Sequence, residues 1–265
     1  MSEVGRRIVV TSGKGGVGKT TTTANLGCAL ARAGRKVVLV DADIGLRNLD
    51  LVLGLEKRIV FDLVEVAEGR CALRSALIKD KRLEDHLWLL PAAQTRDKQA
   101  LSEEQMEAIT RELAGTVDYV LIDCPAGIEH GFRNAVAGAD EAIVVTTPEV
   151  SAIRDADRIV GKLGERALPT RLIVNRIRPE LVKAGDMLSV DDVCEVLGLE
   201  LLGIVPDDED VIDTTNRGEP AALAEGTRLA SIYGKIARRL EGEMVPFTSL
   251  EPQSFLGRLW DALAG

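Results

Sequence analysis

Eight consecutive residues, Gly13-Lys14-Gly15-Gly16-Val17-Gly18-Lys19-Thr20, have the composition needed to hold a string of phosphates. A glycine, four residues, then glycine, lysine and a hydroxyl residue is the spacing of a phosphate-binding loop. Glycines let the backbone turn tightly and bring its N–H groups up to phosphate oxygens, where a side chain would clash. The helix expected over 21–33 aims the positive end of its dipole at the same anion. Lys19 can reach the outer phosphates, and the Thr20 hydroxyl suits Mg²⁺. The expected contacts are Gly13, Gly15, Gly16, Val17, Gly18, Lys19, Thr20 and Thr21. A chance match in a chain of this length is on the order of 1 %.

Two acidic strand ends could serve the same site. The apolar run 36–41 closes on Asp41-Ala42-Asp43, and 119–123 closes on Asp123. An acid just past a strand is often only a turn former or a cap. Beside a phosphate loop it has another use, because Mg²⁺ keeps several waters that nearby carboxylates can hold. Asp123 is expected at the metal as the Walker B acid and Asp41 in its outer shell. Asp43 is placed to orient or deprotonate the attacking water. Phosphoryl transfer is mostly positioning plus charge stabilisation, so these parts suffice for slow hydrolysis.

The elements that must position these residues are legible as apolar runs at 8–10, 36–41, 87–91, 119–123, 142–146, 172–175 and 202–206. Amphipathic stretches at 102–113, 150–163, 190–197 and 227–240 separate several of them, and Ser102 with Gln105 fits a capping box. This alternation predicts an α/β protein: a three-layer P-loop NTPase fold, its central sheet mostly parallel with helices on both faces. Ligands in such sheets sit at the carboxyl ends of the strands, where the loop, Asp41 and Asp123 all fall. Residues 1–245 are expected as one domain.

The 265 residues are 46% hydrophobic, enough for a sizeable core, and carry a formal charge of −9. That acidity argues against a DNA-coating surface, and no nucleic acid is expected as partner. No apolar run approaches the roughly 20 residues of a spanning helix. The four scattered cysteines suggest reduced thiols in the cytoplasm.

The end of the chain is unlike the rest. Residues 246–253 resemble a flexible linker, and 254–265 an amphipathic helix whose Phe255, Leu256, Leu259, Trp260 and Leu263 fall within about 140° of arc. The expectation is an interfacial membrane anchor. Half-burying five such side chains gives roughly 5 kcal/mol at best, and ordering the peptide takes back a good part. One copy should bind weakly, whereas two copies gain about a hundredfold or more from effective concentration.

The variant Lys-Gly-Gly-Val-Gly-Lys-Thr (14–20) resembles the deviant Walker A (MinD/ParA) family of P-loop ATPases. Asp-Ala-Asp-Ile-Gly-Leu-Arg-Asn-Leu-Asp (41–50), Ala-Gln-Thr-Arg-Asp-Lys (93–98), Cys-Pro-Ala-Gly-Ile-Glu (124–129) and the tail are similar to its septum-site branch. The resemblance implies an ATP-bound homodimer in which Lys14 crosses to the partner's nucleotide, with 41–50 and 123–127 as switches. It implies that Asn175 reads adenine and that Pro206-Asp207-Asp208 lies along the base. It further implies a peripheral protein on the inner face of the cell membrane that positions the division septum. There it would recruit a MinC-like inhibitor, through a surface near Glu149, Ser151, Arg154, Asp155 and Asp157, and be released by a MinE-like activator of hydrolysis. The tail departs from that branch in lacking net charge, since Arg258 offsets Asp261. Partitioning ATPases of the same family would need a basic face for DNA, and a cluster-bridging relative would need more cysteine than Cys124 beside the switch.

Overall fold

Alternating apolar residues in the central strands send side chains to both faces of one sheet. The structure, a computed structural model, describes residues 4–247 apart from 97–99 and 209. β1 (Arg6–Thr11) leads into α1 (Lys19–Arg32), and β2 (Val37–Asp41) ends on the acidic loop. The short helices α2 (Leu49–Leu53), α3 (Leu63–Ala67) and α4 (Leu73–Ala76) precede β3 (Ile78–Lys79) and β4 (Leu87–Leu90). Next come α5 (Glu103–Ala114), β5 (Tyr119–Asp123), α6 (His130–Ala137), β6 (Glu141–Thr146), α7 (Val150–Gly164) and β7 (Thr170–Ile177). The series closes with α8 (Pro179–Ala184), α9 (Val190–Leu197), β8 (Glu200–Pro206), α10 (Asp210–Asn216) and α11 (Arg228–Leu240).

The strand order is β3-β4-β2-β5-β1-β6-β7-β8, and every pairing is parallel except the short antiparallel β3–β4 edge. The expected three-layer, mostly parallel architecture is therefore what the chain adopts. Ile8 and Val10 of β1 join one core with Leu26 and Leu30 of α1 and Ile232, Tyr233 and Ile236 of α11. Val9, between them, joins the other core, with Met106, Leu113, Phe132, Ile153 and Ile159 of α5, α6 and α7. Central strands covered on both faces are what a near-continuous apolar run encodes. The expected capping box is present: Ser102 accepts from the Gln105 N–H while Gln105 accepts from that of Ser102.

The far end of β1 is tied to the chain's last described residues. Arg6 donates to the Leu240 carbonyl at 2.7 Å. Arg239 then donates to the carbonyls of Val245 and Pro246, at 2.8 and 2.7 Å, and stacks 4.1 Å from the centre of the Phe247 ring. No helix among the described residues is long and apolar enough to cross a membrane. The proposed anchor residues Phe255, Leu256, Leu259, Trp260 and Leu263, and most of the 246–253 linker, lie outside the described residues.

Candidate phosphate and nucleotide site

The loop between β1 and α1 is shaped by two left-handed glycines, Gly16 at φ 81° and Gly18 at φ 90°, with Gly18 as the N-cap of α1. Gly13 is glycine for a different reason. A Cβ there would stand 2.2 Å from the backbone of Asp155, so the loop rests directly on α7. Gly15 has open space around it, on the side a ligand would approach. Val17 is buried beneath the loop.

Parallel register brings the acids to Lys19. Asp41 pairs with Asp123 across β2 and β5, and Val10 of β1 pairs with Asp123 on the other side. The Lys19 Nζ lies 3.3 Å from Asp123 Oδ1, with both side chains buried. Burial works against the lysine's charge, but Asp123 foremost, then Cys124 and Asp43, outweigh it, and the net shift is upward. Thr23, one turn beyond Lys19, also donates to Asp123 at 3.3 Å.

Asp41 is completely buried and braces the acidic loop at two points. It accepts from the Asp43 N–H at 3.0 Å and from the Leu49 N–H, the first of α2, at 3.1 Å. Burial, then repulsion from Asp123, pushes its carboxyl up to about 7 against those two donors. Asp43 is half-buried and lines a cavity of about 810 Å³ together with Ser12, Lys14, Gly15, Gly16, Gly18, Lys19, Thr20 and Thr21. Thr20, Asp41 and Asp123 offer only oxygen, the donor set that suits a hard cation such as Mg²⁺.

Lys14 stands at the rim. Its ammonium is 3.3 Å from Ser151 Oγ and 3.8 Å from a Glu149 carboxylate oxygen on the first turn of α7, and it remains half-exposed. Glu149, Ser151, Arg154 and Asp157 are exposed along that helix, and Asp155 is half-buried.

Asn175 ends close to the loop rather than in the open cavity. Its amide donates to the Val17 carbonyl at 2.8 Å, and a Cβ on Gly18 would meet it at 2.2 Å. Pro206, Asp207 and Asp208 follow β8 and are not among the residues lining the cavity. Arg178 holds the Asp207 carboxylate through its Nε at 2.6 Å.

Most of the opposite wall of the cavity was not anticipated from sequence; only Leu46 and Asn48 fall within the 41–50 switch segment. Leu46, Asn48, Leu51, Val52, Gly54 and Glu56 form one part of it, and Thr215, Asn216, Arg217 and Gly218 another. Arg176 also lines it, held at φ 57° where a side chain is disfavoured. The polar cluster Thr214-Thr215-Asn216-Arg217-Gly218 was a loop signal that could have drawn attention; nothing local marks Leu51 or Val52. Cys124 is fully buried, and burial pushes its thiol up to about 12.

Residues 8–221 match the family model described as the CobQ/CobB/MinD/ParA nucleotide binding domain. The chain is 58% identical over 253 residues to the septum site-determining protein MinD of Bacillus subtilis (strain 168), covering 95% of this chain and 94% of that one. Among solved structures it is similar to a chain of the MinC:MinD cell division protein complex of Aquifex aeolicus. There the TM-score is 0.86 at 50% identity, over 92% of this chain and 98% of that one. It is also similar to the septum site-determining protein MinD of Pyrococcus horikoshii complexed with Mg-ADP, with TM-score 0.81 at 31% identity over 89% and 96%.

Proposed function

The chain belongs to the CobQ/CobB/MinD/ParA nucleotide-binding family and stands among its septum site-determining ATPases; from that premise we propose that it is an ATP-switched, membrane-docking dimer. ATP is the substrate of the 13–21 loop, with Mg²⁺ held by Thr20 and, through its waters, by Asp41 and Asp123. Mg²⁺ there supplies charge neutralisation at the phosphate oxygens. Lys19 offers a buried cation to the outer phosphates, and Asp43 orients the attacking water. Asn175 and the 206–208 segment act on the base.

One observation carries the dimer reading. Lys14 is half-exposed at the cavity rim with its ammonium on the first turn of α7, which supports a role toward a second copy. A cation delivered from a partner is how phosphoryl-transfer sites are completed in trans. Pairing then joins two weakly binding 254–265 tails into one firm attachment on the inner face of the cell membrane. The exposed α7 surface from Glu149 to Asp157 is the docking face for a MinC-like division inhibitor and a MinE-like activator. A MinC:MinD complex has been solved for the Aquifex aeolicus proteins.

The test is liposome co-sedimentation with ATP, ADP or a non-hydrolysable ATP analogue, using the full chain and one ending at Ser254. The full chain should sediment with ATP and the analogue and stay in solution with ADP, and the shortened chain should not sediment. Equal sedimentation with ADP, or by the shortened chain, overturns the proposal.

A further inference from the structure

A 3₁₀ turn, Lys81–Leu83, joins β3 to β4 at the sheet edge. Its Arg82 makes an unusual set of contacts. Its Nε and Nη2 grip the Asp80 carboxylate, at 3.0 and 2.6 Å, and Asp80 is 1% exposed. Nη2 also donates to the Leu53 carbonyl at 2.6 Å, and Nη1 to the Gly218 carbonyl at 2.9 Å. Those two carbonyls belong to the two halves of the unanticipated cavity wall. Leu53 ends α2, and Gly218 closes the turn after α10.

The two halves touch where Arg82 holds them. Gly54 and Gly218 are both left-handed, at φ 65° and 67°, and a Cβ on Gly218 would stand 2.5 Å from the Gly54 Cα. The backbones pack this closely only because neither residue has a side chain. A planar guanidinium can bridge two carbonyls while staying locked to a carboxylate; a lysine ammonium, with one nitrogen, cannot reproduce that fork. The linkage continues inward, because α2 begins at Leu49, whose N–H is held by Asp41.

We infer that Arg82, anchored by Asp80, is a positioning residue that clamps the 51–56 and 215–218 walls together and so sets the fit of the bound nucleotide. The inference rests on the reading that this cavity holds a nucleotide. Arg82 touches none of the phosphate-loop residues, so its effect falls on affinity and residence time.

Two variants of the full chain test it. Arg82→Lys keeps the charge beside Asp80 but loses one carbonyl contact, and Gly218→Ala wedges the walls apart with Arg82 intact. Each is titrated with mant-ADP and Mg²⁺, its dissociation is timed by chasing with ADP, and its fold is checked by thermal unfolding without nucleotide. In Arg82→Lys the loss of one charge-assisted hydrogen bond predicts about tenfold weaker binding and faster release, and the overlap with the Gly54 backbone in Gly218→Ala predicts a change in the same direction, at a temperature where both remain folded. Kd within twofold of the parent in Arg82→Lys, or a change confined to the unfolding temperature, overturns the clamp. If the parent itself does not bind mant-ADP, the nucleotide reading falls and the clamp with it.

Discussion

Two alanine substitutions two residues apart in the phosphate loop should fail in opposite ways. At Gly13 the added Cβ would lie 2.2 Å from the Asp155 carbonyl group and 2.6 Å from the Ala156 nitrogen, all helix backbone that cannot swing aside. Overpacking of this kind costs about 1–3 kcal/mol, and a backbone neighbour places it at the upper end, about 3 kcal/mol. For a chain of this size that lowers the unfolding midpoint by about 5–6 °C before any ligand is added. Gly15 has nothing within 4 Å and is outside the left-handed region, so Gly15→Ala should leave the ligand-free midpoint within about 1 °C. Its methyl instead occupies the approach of the phosphates. A nucleotide at a hundred times its Kd stabilises the parent by about 2.7 kcal/mol, and Gly15→Ala should lose most of that increment. The assay is thermal unfolding by circular dichroism, with and without ADP and Mg²⁺. A ligand-free midpoint for Gly13→Ala equal to the parent's, or a full nucleotide increment in Gly15→Ala, refutes the assignment of the loop's two surfaces.

Three further outcomes follow from particular contacts. Lys14→Ala removes only a half-exposed ion pair, worth at most about 1 kcal/mol, so stability should hold while the rise of specific turnover with protein concentration disappears; a rise equal to the parent's would exclude action in trans. Asp123→Asn leaves the buried Lys19 ammonium without its carboxylate and should cost about 3 kcal/mol in urea denaturation, with part of the loss restored when Lys19→Met is added. Strictly additive losses would show that the pair is not coupled. Burial opposes the Glu141 charge, but Arg6 and Arg171 overcome it and hold the carboxyl below its usual 4.5. An acid depressed by folding contributes stability above its unfolded pKa and loses it as pH falls through the folded one. Glu141→Gln should therefore lower stability at neutral pH and flatten the decline below about pH 4.5, and parallel pH curves for the two chains would contradict it.

What could be read from sequence was whatever local pattern decides. The runs around Val9, Leu39 and Leu121 are apolar at every position because the sheet is covered on both faces, and each ends where its acid or loop begins. That Asp41 and Asp123 fall at the strand ends beside the loop was legible from the alternation of elements, whereas the Lys19–Asp123 ion pair was not, because it depends on strand order and register. Region 44–86 was not, since α2, α3 and α4 have four or five residues each and owe their form to tertiary contacts. The two-residue β3 is too short to carry a period. The outer cavity wall escaped for the same reason: Leu53 and Gly218 are 165 positions apart, and only the fold makes them neighbours. Asn175 was identified as a residue of interest, but its bond to Val17 depends on a turn of another strand.

The Arg239–Phe247 stack has a consequence for signalling within the molecule. It moors the carboxyl-terminal stretch beside the starting edge of β1, while the phosphates belong at the finishing edge, six residues or about 20 Å away. Along that line lie rigid strands with both faces packed, which offer no hinge to transmit hydrolysis. If copies pair as proposed, the state of the nucleotide can be reported by the number of copies joined, without any movement within the sheet.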